Sequence, residues 1–340
     1  MSAVKRSTAK KSNAKGPAAK KVVSKKSNEK ESAVSSHKVA SAKDSATVSG
    51  VVITHANREV YPDVPITKGE LAEYFELVAP LMLAHIKGRP ISCVRCPEGR
   101  AQACFFQKHW PPKGGAPVTT KLVTEGSGEP LPYAFASTAR DLVALVQHGV
   151  MEAHVWGSQY ANLDKPDRLV LDLDPGPGVS WLTIKKAAVQ TRELLLDLGL
   201  ESWMKLTGGK GIHVVVPIDR RVEWDVVNAF AKAIALKLTS DSPQLYVAKA
   251  SKAIRDRKIY VDWQRNSRGA TWVAPWSPRS RDNAPVSMPL PWDALSDVKK
   301  PDMYTIPVVT KIMAKSYADP WKEMLTYKQR LTAAMAVKLG

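Results

Sequence analysis

The sequence has few cysteines and no long apolar run. Its three cysteines, Cys93, Cys96 and Cys104, are too few for a disulfide framework, so we expect ordinary reduced thiols. With His109 they also supply four possible zinc ligands, but Cys93 and Cys96 are three residues apart on an expected strand and therefore face opposite sides. No stretch approaches the ~18 apolar residues of a membrane span, and no secretory leader is visible. We therefore expect a soluble, cytoplasmic protein with no membrane partner.

Residues 1–48 contain no aromatic side chain and only three acidic ones. They hold twelve lysines and arginines, and so about half of the net charge of +18. A segment of this composition buries too little apolar surface to fold alone, which predicts a disordered basic tail. A polyanion such as nucleic acid is its natural partner. The alternatives are a solubilising tail or an organelle-targeting extension, although the scarcity of arginine argues against the latter.

Strand and helix patterns alternate irregularly along the rest of the chain, which predicts an α+β fold with mixed sheets. The sequence Thr67-Lys-Gly-Glu70 is typical of a capping box at a helix start. The free amides of such a first turn would favour an anion beside Lys68. Four further helices are predicted, over residues 138–148, 181–198, 223–238 and 319–338.

Two aspartates end an apolar run just before a Pro/Gly turn. Asp172 and Asp174 are two residues apart, so on a strand they project from the same face and repel each other unless a cation intervenes. Asp262 ends a later strand and would complete a three-carboxylate site able to hold two divalent ions. The alternatives are a charged turn for the pair and a strand-end cap for Asp262.

A glycine-rich turn, Thr207-Gly-Gly-Lys-Gly-Ile-His213, joins two further strands. Its glycines permit a close backbone approach to phosphate, and Lys210 adds positive charge. The spacing is not that of a Walker A loop, and an isolated glycine turn is a weak signal. His213 is either part of this site or a core histidine.

Several ordered motifs between about residues 51 and 295 resemble the polymerase domain of bacterial ligase D, in the archaeo-eukaryotic primase superfamily. They are Asp-Leu-Asp-Pro at 172–175, Thr-Gly-Gly-Lys-Gly-Ile-His at 207–213, Val-Asp-Trp-Gln-Arg-Asn-Ser-Arg-Gly-Ala-Thr at 261–271, Val-Ala-Pro-Trp-Ser-Pro-Arg at 273–279 and Cys-Phe-Phe-Gln-Lys-His at 104–109. The resemblance implies a primase-like polymerase fold, with mixed or antiparallel sheets flanked by helices. It places the catalytic domain at 49–300, followed by a C-terminal extension, 301–340, whose terminal helix packs on that domain.

The resemblance also implies a role for each matching residue. The metal-binding and catalytic carboxylates are Asp172, Asp174 and Asp262. The groups around the nucleotide are His154, Thr207, Lys210, His213, Arg265 and Arg279. A pocket for a DNA 5′-phosphate comprises His55, Arg58 and Lys68, and the aromatics near the templating base are Phe105 and Phe106. Because neighbours on a strand point oppositely, we expect one phenylalanine in the core and the other free to stack. Thr207 stands where the family usually has serine, which keeps the hydroxyl and adds a methyl group.

The function implied is template-dependent addition of nucleotides to 3′ ends at gaps and breaks in DNA, in bacterial non-homologous end joining. The resemblance further implies two Mn²⁺ or Mg²⁺ ions, a preference for ribonucleotides, Ku and a DNA ligase as partners, and association with the bacterial nucleoid. Two alternatives remain, a de novo primase of the same superfamily and a non-catalytic module that bridges DNA ends.

Overall fold

The structure is a computed structural model that describes residues 44–111, 117–315 and 317–340. The strands are β1 Ser45–Val48, β2 Val51–Thr54, β3 Glu59–Tyr61, β4 Ile66–Thr67, β5 Ile91–Arg95, β6 Phe105–Gln107, β7 Thr120–Val123, β8 Leu131–Ala134, β9 Val150–Trp156, β10 Arg168–Pro175, β11 Trp203–Leu206, β12 Ile212–Pro217, β13 Tyr246–Val247, β14 Ile259–Asp262, β15 Thr271–Val273 and β16 Pro289–Leu290. The helices are α1 Lys68–Ile86, α2 Ala139–Gln147, α3 Trp181–Asp197, α4 Trp224–Asp241, α5 Ile306–Met313 and α6 Ala333–Leu339.

Two six-stranded sheets form the framework. The first, which we call the central sheet, has the order β13-β14-β10-β12-β11-β16 and is antiparallel except for the β13–β14 pair. The second runs β15-β9-β5-β8-β7, with β6 paired to the edge of β5, and is antiparallel throughout. Sheets of this kind, with helices packed on them, make an α+β fold, as the irregular alternation of elements predicts.

Helices α3 and α4 pack on the central sheet, and α1 and α2 pack on each other and on β2. The capping box at the start of α1 is present, because the Thr67 side chain accepts from the amide of Glu70 and the Glu70 side chain accepts from the amide of Thr67. Thr138 and Asp141 make the same reciprocal pair at the start of α2. No helix in the described residues is long and apolar enough to cross a membrane.

Most of the predicted elements are confirmed, but the last helix is much shorter than expected. Of the predicted span 319–338, only residues from Ala333 onward form an α-helix, after a single 3₁₀ turn at Glu323–Leu325. Side-chain hydrogen bonds attach the residues before α6 to the rest of the protein. The Trp321 indole donates to the Met204 carbonyl, and the Gln329 amide donates to the Glu201 carbonyl. The final segment therefore contacts β11 of the central sheet through Trp321, and α6 packs on α4.

The predicted basic tail ends earlier than residue 48. Residues Ser45–Val48 pair with Val51–Thr54 in a hairpin whose turn residues, Ser49 and Gly50, both have positive φ. Val48 and Val51 are buried at the end of this hairpin, and their burial explains why the strand forms despite the polar sequence around it. Residues 1–43, which hold the rest of the predicted tail, lie outside the described residues.

The expectation of three reduced thiols is wrong. Cys96 and Cys104 form a disulfide, and Cys93 alone is a free, buried thiol. The two partners become neighbours because β5 and β6 form an antiparallel pair, with Arg95 opposite Phe105. Burial raises the pKa of Cys93 to about 12, so this thiol stays protonated. Because Cys96 and Cys104 are joined in the disulfide, they cannot serve as the thiolate ligands that the alternative of a zinc site requires.

Candidate active site

Four ionisable side chains form a row across the middle of the central sheet. Asp172 on β10 stands opposite Asp262 on one side and opposite His213 on the other, and His213 in turn stands opposite Lys205 of β11. Residues directly opposite on antiparallel strands share a face, so all four project to the same side. Asp174, two residues beyond Asp172, projects to that side as well. The register therefore gathers all three predicted carboxylates on one face.

The three carboxylates differ in their electrostatic surroundings. Burial opposes ionisation of Asp172, but His213, Arg265 and Lys205 together lower its pKa. The pKa of Asp174 is raised by burial and by the charge of Asp172. Burial and the charge of Asp172 also raise the pKa of Asp262, despite the nearby Arg265. Negative charge is thus crowded here, and an additional cation would stabilise it.

Two arginines lie against these carboxylates. Arg265 Nε is 3.1 Å from Asp262 Oδ2 and 3.5 Å from Asp172 Oδ2, while Arg255 Nη1 is 2.9 Å from Asp174 Oδ2. Arg265 Nη1 also donates to the Thr271 carbonyl at 3.3 Å, so two carboxylates and one carbonyl hold the guanidinium although the side chain is 42% exposed. Three oxygen donors of this kind fit a hard divalent ion such as Mg²⁺ or Mn²⁺. As placed, no three His, Cys, Asp or Glu side chains among the described residues converge on one metal position, so an ion here would require the carboxylates and Arg265 to rearrange.

The glycine turn closes one side of the row. The Thr207 hydroxyl lies within it, donating to the Gly211 carbonyl and accepting from the amides of Gly209 and Gly211. A Cβ on Gly211 would come within 2.4 Å of the Leu173 carbonyl oxygen, so only glycine fits between the turn and β10. The Thr207 hydroxyl thus holds the turn in shape, a role that a serine hydroxyl could also fill. Lys210, at the tip of the turn, is exposed.

Glu152 on β9 links the second sheet to this turn. Its carboxylate lies 2.8 Å from Arg279 Nε and 2.9 Å from His154 Nε2, and it accepts from the amide and the hydroxyl of Ser280. Arg279 also donates to the Thr207 carbonyl. Burial disfavours the charged form of Glu152, but these donors outweigh it and lower its pKa. Glu152 therefore holds both His154 and Arg279 in position.

A cleft of about 430 Å³ lies between the two sheets, and all six predicted nucleotide-site residues line it, namely His154, Thr207, Lys210, His213, Arg265 and Arg279. The carboxylates Asp172 and Asp174 line it as well, whereas Asp262 does not. Its volume is within the range of small-molecule sites. One wall carries carboxylates and the opposite wall carries lysine and arginine, which suits a ligand that brings both metal and phosphate.

Phe105 and Phe106 are both exposed, so the expectation that one of them lies in the core is wrong. β6 is a three-residue edge strand paired only with β5, and neither of its faces is covered. The Phe106 ring meets the His154 ring edge-on at 5.6 Å, and the Arg95 guanidinium lies 5.5 Å from the centre of the Phe105 ring. Phe106 thus stands next to a residue of the cleft.

The three residues of the predicted 5′-phosphate pocket are close together but already engaged. Lys68 is almost fully buried, and its Nζ donates to the Thr54 carbonyl and to two oxygens of Gln147. Arg58 pairs with Glu98, and His55 lies 3.3 Å from Asp44. Burial and the nearby Arg58 lower the pKa of Lys68 to about 8.

The first-turn amides of α1 are also occupied, so the expectation of free amides there is wrong. The Lys68 amide donates to the Arg58 carbonyl, and the Gly69 amide donates to the Ala56 carbonyl. A phosphate at this place would therefore be bound by side chains that exchange their present partners.

Sequence reasoning missed three residues that support the site. Glu152 precedes His154 by two on a strand, and this spacing was a usable signal for a shared face. Lys205 is fully buried, and its Nζ donates to the Ser287 hydroxyl at 2.6 Å. Asn266 holds both the amide and the carbonyl of Val170, which fixes the turn after Asp262 onto β10. The last two depend on pairings that no local pattern indicates.

The chain is similar to several known proteins. The family described as the LigD primase-polymerase domain matches residues 67–321. The multifunctional non-homologous end joining protein LigD of Pseudomonas aeruginosa is 37% identical over 308 residues, covering 90% of this chain and 36% of that protein. The multifunctional non-homologous end joining DNA repair protein LigD of Mycobacterium tuberculosis is 33% identical over 276 residues, covering 79% of this chain and 36% of that protein. The chain thus spans about a third of the length of these relatives.

A solved structure is also similar, the polymerase domain of Mycobacterium tuberculosis ligase D in complex with DNA. The TM-score is 0.74 at 30% sequence identity, with 81% of this chain and 97% of that chain covered. The fold is therefore that of a primase-like polymerase domain, as the motifs predict. The chain belongs to the LigD primase-polymerase domain family.

Glu152 provides a test of this architecture. Glu152→Ala leaves Arg279, whose side chain is only 13% exposed, without its counter-ion. We expect the free energy of unfolding to fall by about 3–5 kcal/mol, since an uncompensated buried charge remains. Glu98→Ala is the matched control, because Glu98 also pairs with an arginine but is 65% exposed, and it should cost about 1 kcal/mol or less. Urea unfolding of both variants measures the difference, and equal losses would contradict the role given to Glu152.

Proposed function

We propose that this chain is a template-dependent nucleotidyltransferase that extends 3′ ends at gaps and breaks in DNA, in bacterial non-homologous end joining. The observation that carries the proposal is the set of three carboxylates on one face of the central sheet, two of which, Asp172 and Asp174, line the same cleft as the basic glycine turn. A nucleotide needs both halves of such a site, carboxylates that hold a divalent ion and cationic groups that hold its phosphates. The names of the relatives and of the DNA-bound structural neighbour point in the same direction.

Asp172, Asp174 and Asp262 would hold two Mn²⁺ or Mg²⁺ ions. When bound, such a pair supplies activation of the attacking 3′-hydroxyl and stabilisation of the leaving pyrophosphate. The chain's own contribution is to fix three oxygen donors on adjacent strands, where nearby cations lower the pKa of Asp172 and bound ions would lower the raised pKa values of Asp174 and Asp262.

The opposite wall would bind the nucleotide. Lys210 is exposed at the tip of the turn and free to meet a triphosphate, and Arg279 is fixed beside it by Glu152 and the Thr207 carbonyl. Arg265 would exchange its contacts with Asp172 and Asp262 for a phosphate oxygen. His154 lies at the end of the cleft nearest Phe106, which suits contact with the sugar below a base stacked on that ring. A preference for ribonucleotides would then arise where His154 meets the sugar 2′-hydroxyl.

His55, Arg58 and Lys68 would recognise the 5′-phosphate across a gap. A phosphate is a stronger partner for Lys68 than the neutral oxygens of Thr54 and Gln147 that it contacts now, because donor and acceptor would then both be charged. For Arg58, a phosphate would replace the exposed Glu98 carboxylate. Ku and a DNA ligase are the expected partners, since joining broken ends requires end binding and sealing. Such work places the protein at the bacterial nucleoid.

A de novo primase is the second candidate, because the fold belongs to a primase-polymerase family. Labelled nucleotides on an unprimed template separate the two activities, since only a primase forms products there.

Replacing either of two carboxylates tests the proposed catalytic centre. Asp172→Ala and Asp174→Ala should each reduce extension of a gapped duplex to below a tenth of the parent rate, because the donor set for the ions is broken. DNA affinity should stay nearly unchanged, since the basic surface supplies it. Asp225→Ala, in the first turn of α4, is the control and should retain full activity. Residual extension above a tenth in both site variants would rule out these carboxylates as the centre.

The 5′-phosphate pocket is tested by comparing gaps that carry a 5′-phosphate with gaps that carry a hydroxyl. Lys68→Ala, Arg58→Ala and His55→Ala should each weaken the preference for the phosphorylated gap, and Lys68→Ala should erase it. Because Lys68 also ties Thr54 to Gln147, the thermal unfolding of its variant is measured alongside, while His55 and Arg58 do not make those bonds. Lys237→Ala on α4 is the control. If all three variants discriminate as the parent does, the pocket lies elsewhere.

The predicted basic tail is tested by deleting residues 1–43, which spares strand β1. We expect weaker DNA binding with unchanged turnover at saturating DNA. Each lost phosphate contact should reduce the slope of log affinity against log salt by ~0.9 on duplex DNA. Fluorescence anisotropy across a salt series measures that slope, and an unchanged slope would mean that the tail has another partner.

A further inference from the structure

A second cavity, of about 840 Å³, lies at the other end of the strands that carry the carboxylates. Arg168 at the start of β10 and Pro217 at the end of β12 stand opposite each other on its floor. Arg168 precedes Asp172 by four residues, or ~13 Å along the strand. The walls come from the end of α1 and from the chain segment before α6. This cavity shares no lining residue with the cleft described above.

The cavity is strongly basic. Seven lysine and arginine side chains line it, against two aspartates. Both aspartates are already used, because Asp167 holds Arg89 in a two-pronged pair and Asp219 lies between Arg221 and Arg330. Three exposed cations at the mouth of the cavity, which we call its rim, have no ion-pair partner within the described ranges: Lys87, Arg220 and Lys328. The cavity therefore holds a surplus of positive charge.

Arg168 makes the floor of the cavity a built feature rather than a loose patch of surface cations. Arg168 is only 5% exposed, and its Nη1 has no hydrogen-bond partner among the residues that the structure describes. The guanidinium lies 5.7 Å from the centre of the Trp272 ring. Burial and the neighbouring Arg89 lower the pKa of Arg168 to about 9, against the opposite effect of Asp167 and Asp319. An anion in the cavity would supply the missing counter-charge.

We propose that this cavity binds a phosphate group, carried either by a nucleic-acid strand or by a free nucleotide. Guanidinium groups match the oxygens of a phosphate in two-pronged geometry, and five arginines line this cavity. Tyr327, also on the rim, is 44% exposed and offers a ring on which a base can stack, a feature that favours a nucleotide over an acidic peptide. The proposal is independent of the polymerase function, since none of these residues belongs to that site.

Titration calorimetry measures the affinity of the full chain for inorganic pyrophosphate in the absence of divalent metal. The double variant Arg220→Ser/Arg330→Ser removes two rim cations, and Lys186→Ser/Lys299→Ser removes two exposed lysines that line neither cavity. A Lys210→Ala background suppresses binding in the cleft. We expect the rim variant to lose at least tenfold in pyrophosphate affinity and the control to change less than twofold. Equal affinities of rim variant and parent would overturn the proposal.

Two further measurements define the ligand. Arg168→Gln should lose pyrophosphate binding as the rim variant does, and the rim variant decides the outcome if Arg168→Gln fails to fold. If a nucleic-acid strand is the ligand, the rim variant's slope of log affinity against log salt should be shallower by ~0.7 per lost contact with single-stranded DNA. If a free nucleotide is the ligand, that slope stays the same while pyrophosphate binding is lost. Binding of poly-glutamate but not pyrophosphate by the parent chain would contradict a phosphate site and assign the cavity to an acidic protein.

Discussion

The mutual repulsion of Asp172, Asp174 and Asp262 is the constraint on which the rest of the site depends. Strand register puts them on one face, where burial raises the pKa of the last two and the cations around Asp172 keep it ionised. Arg255 and Arg265 offset the repulsion in the structure as it stands. Under the proposed function, divalent ions would take over this role from the arginines.

The basic half of the cleft depends on the second sheet. Glu152 on β9 holds Arg279, and Arg279 holds the carbonyl of Thr207 at the start of the glycine turn. This chain of contacts joins a strand of one sheet to the turn between β11 and β12 of the other. Because Glu152 is buried and ionised, its partners have little freedom to move. Arg279, which we propose to bind phosphate, is thereby positioned before any ligand arrives, which lowers the entropy cost of binding.

Local patterns in the sequence predicted the helices and strands well, because capping boxes and alternating apolar residues act over a few residues. The shared face of Asp172 and Asp174 follows from their spacing alone. The partners of Asp172 do not, since β12 and β14 lie 40 and 90 residues further along the chain and register between such strands is set by tertiary packing. The same limit explains the disulfide at Cys96, which needs the β5–β6 pairing, and the buried Lys205.

The central claim is that the three carboxylates form a centre for divalent ions, and direct Mn²⁺ binding tests it most simply. Electron paramagnetic resonance of free Mn²⁺ reports how much metal the full chain removes from solution, with a nucleoside triphosphate present and absent. The account predicts that the parent chain binds Mn²⁺ and that Asp262→Asn weakens the binding at least tenfold, while Asp225→Asn on α4 does not. Equal Mn²⁺ binding by the parent and by Asp262→Asn would contradict it.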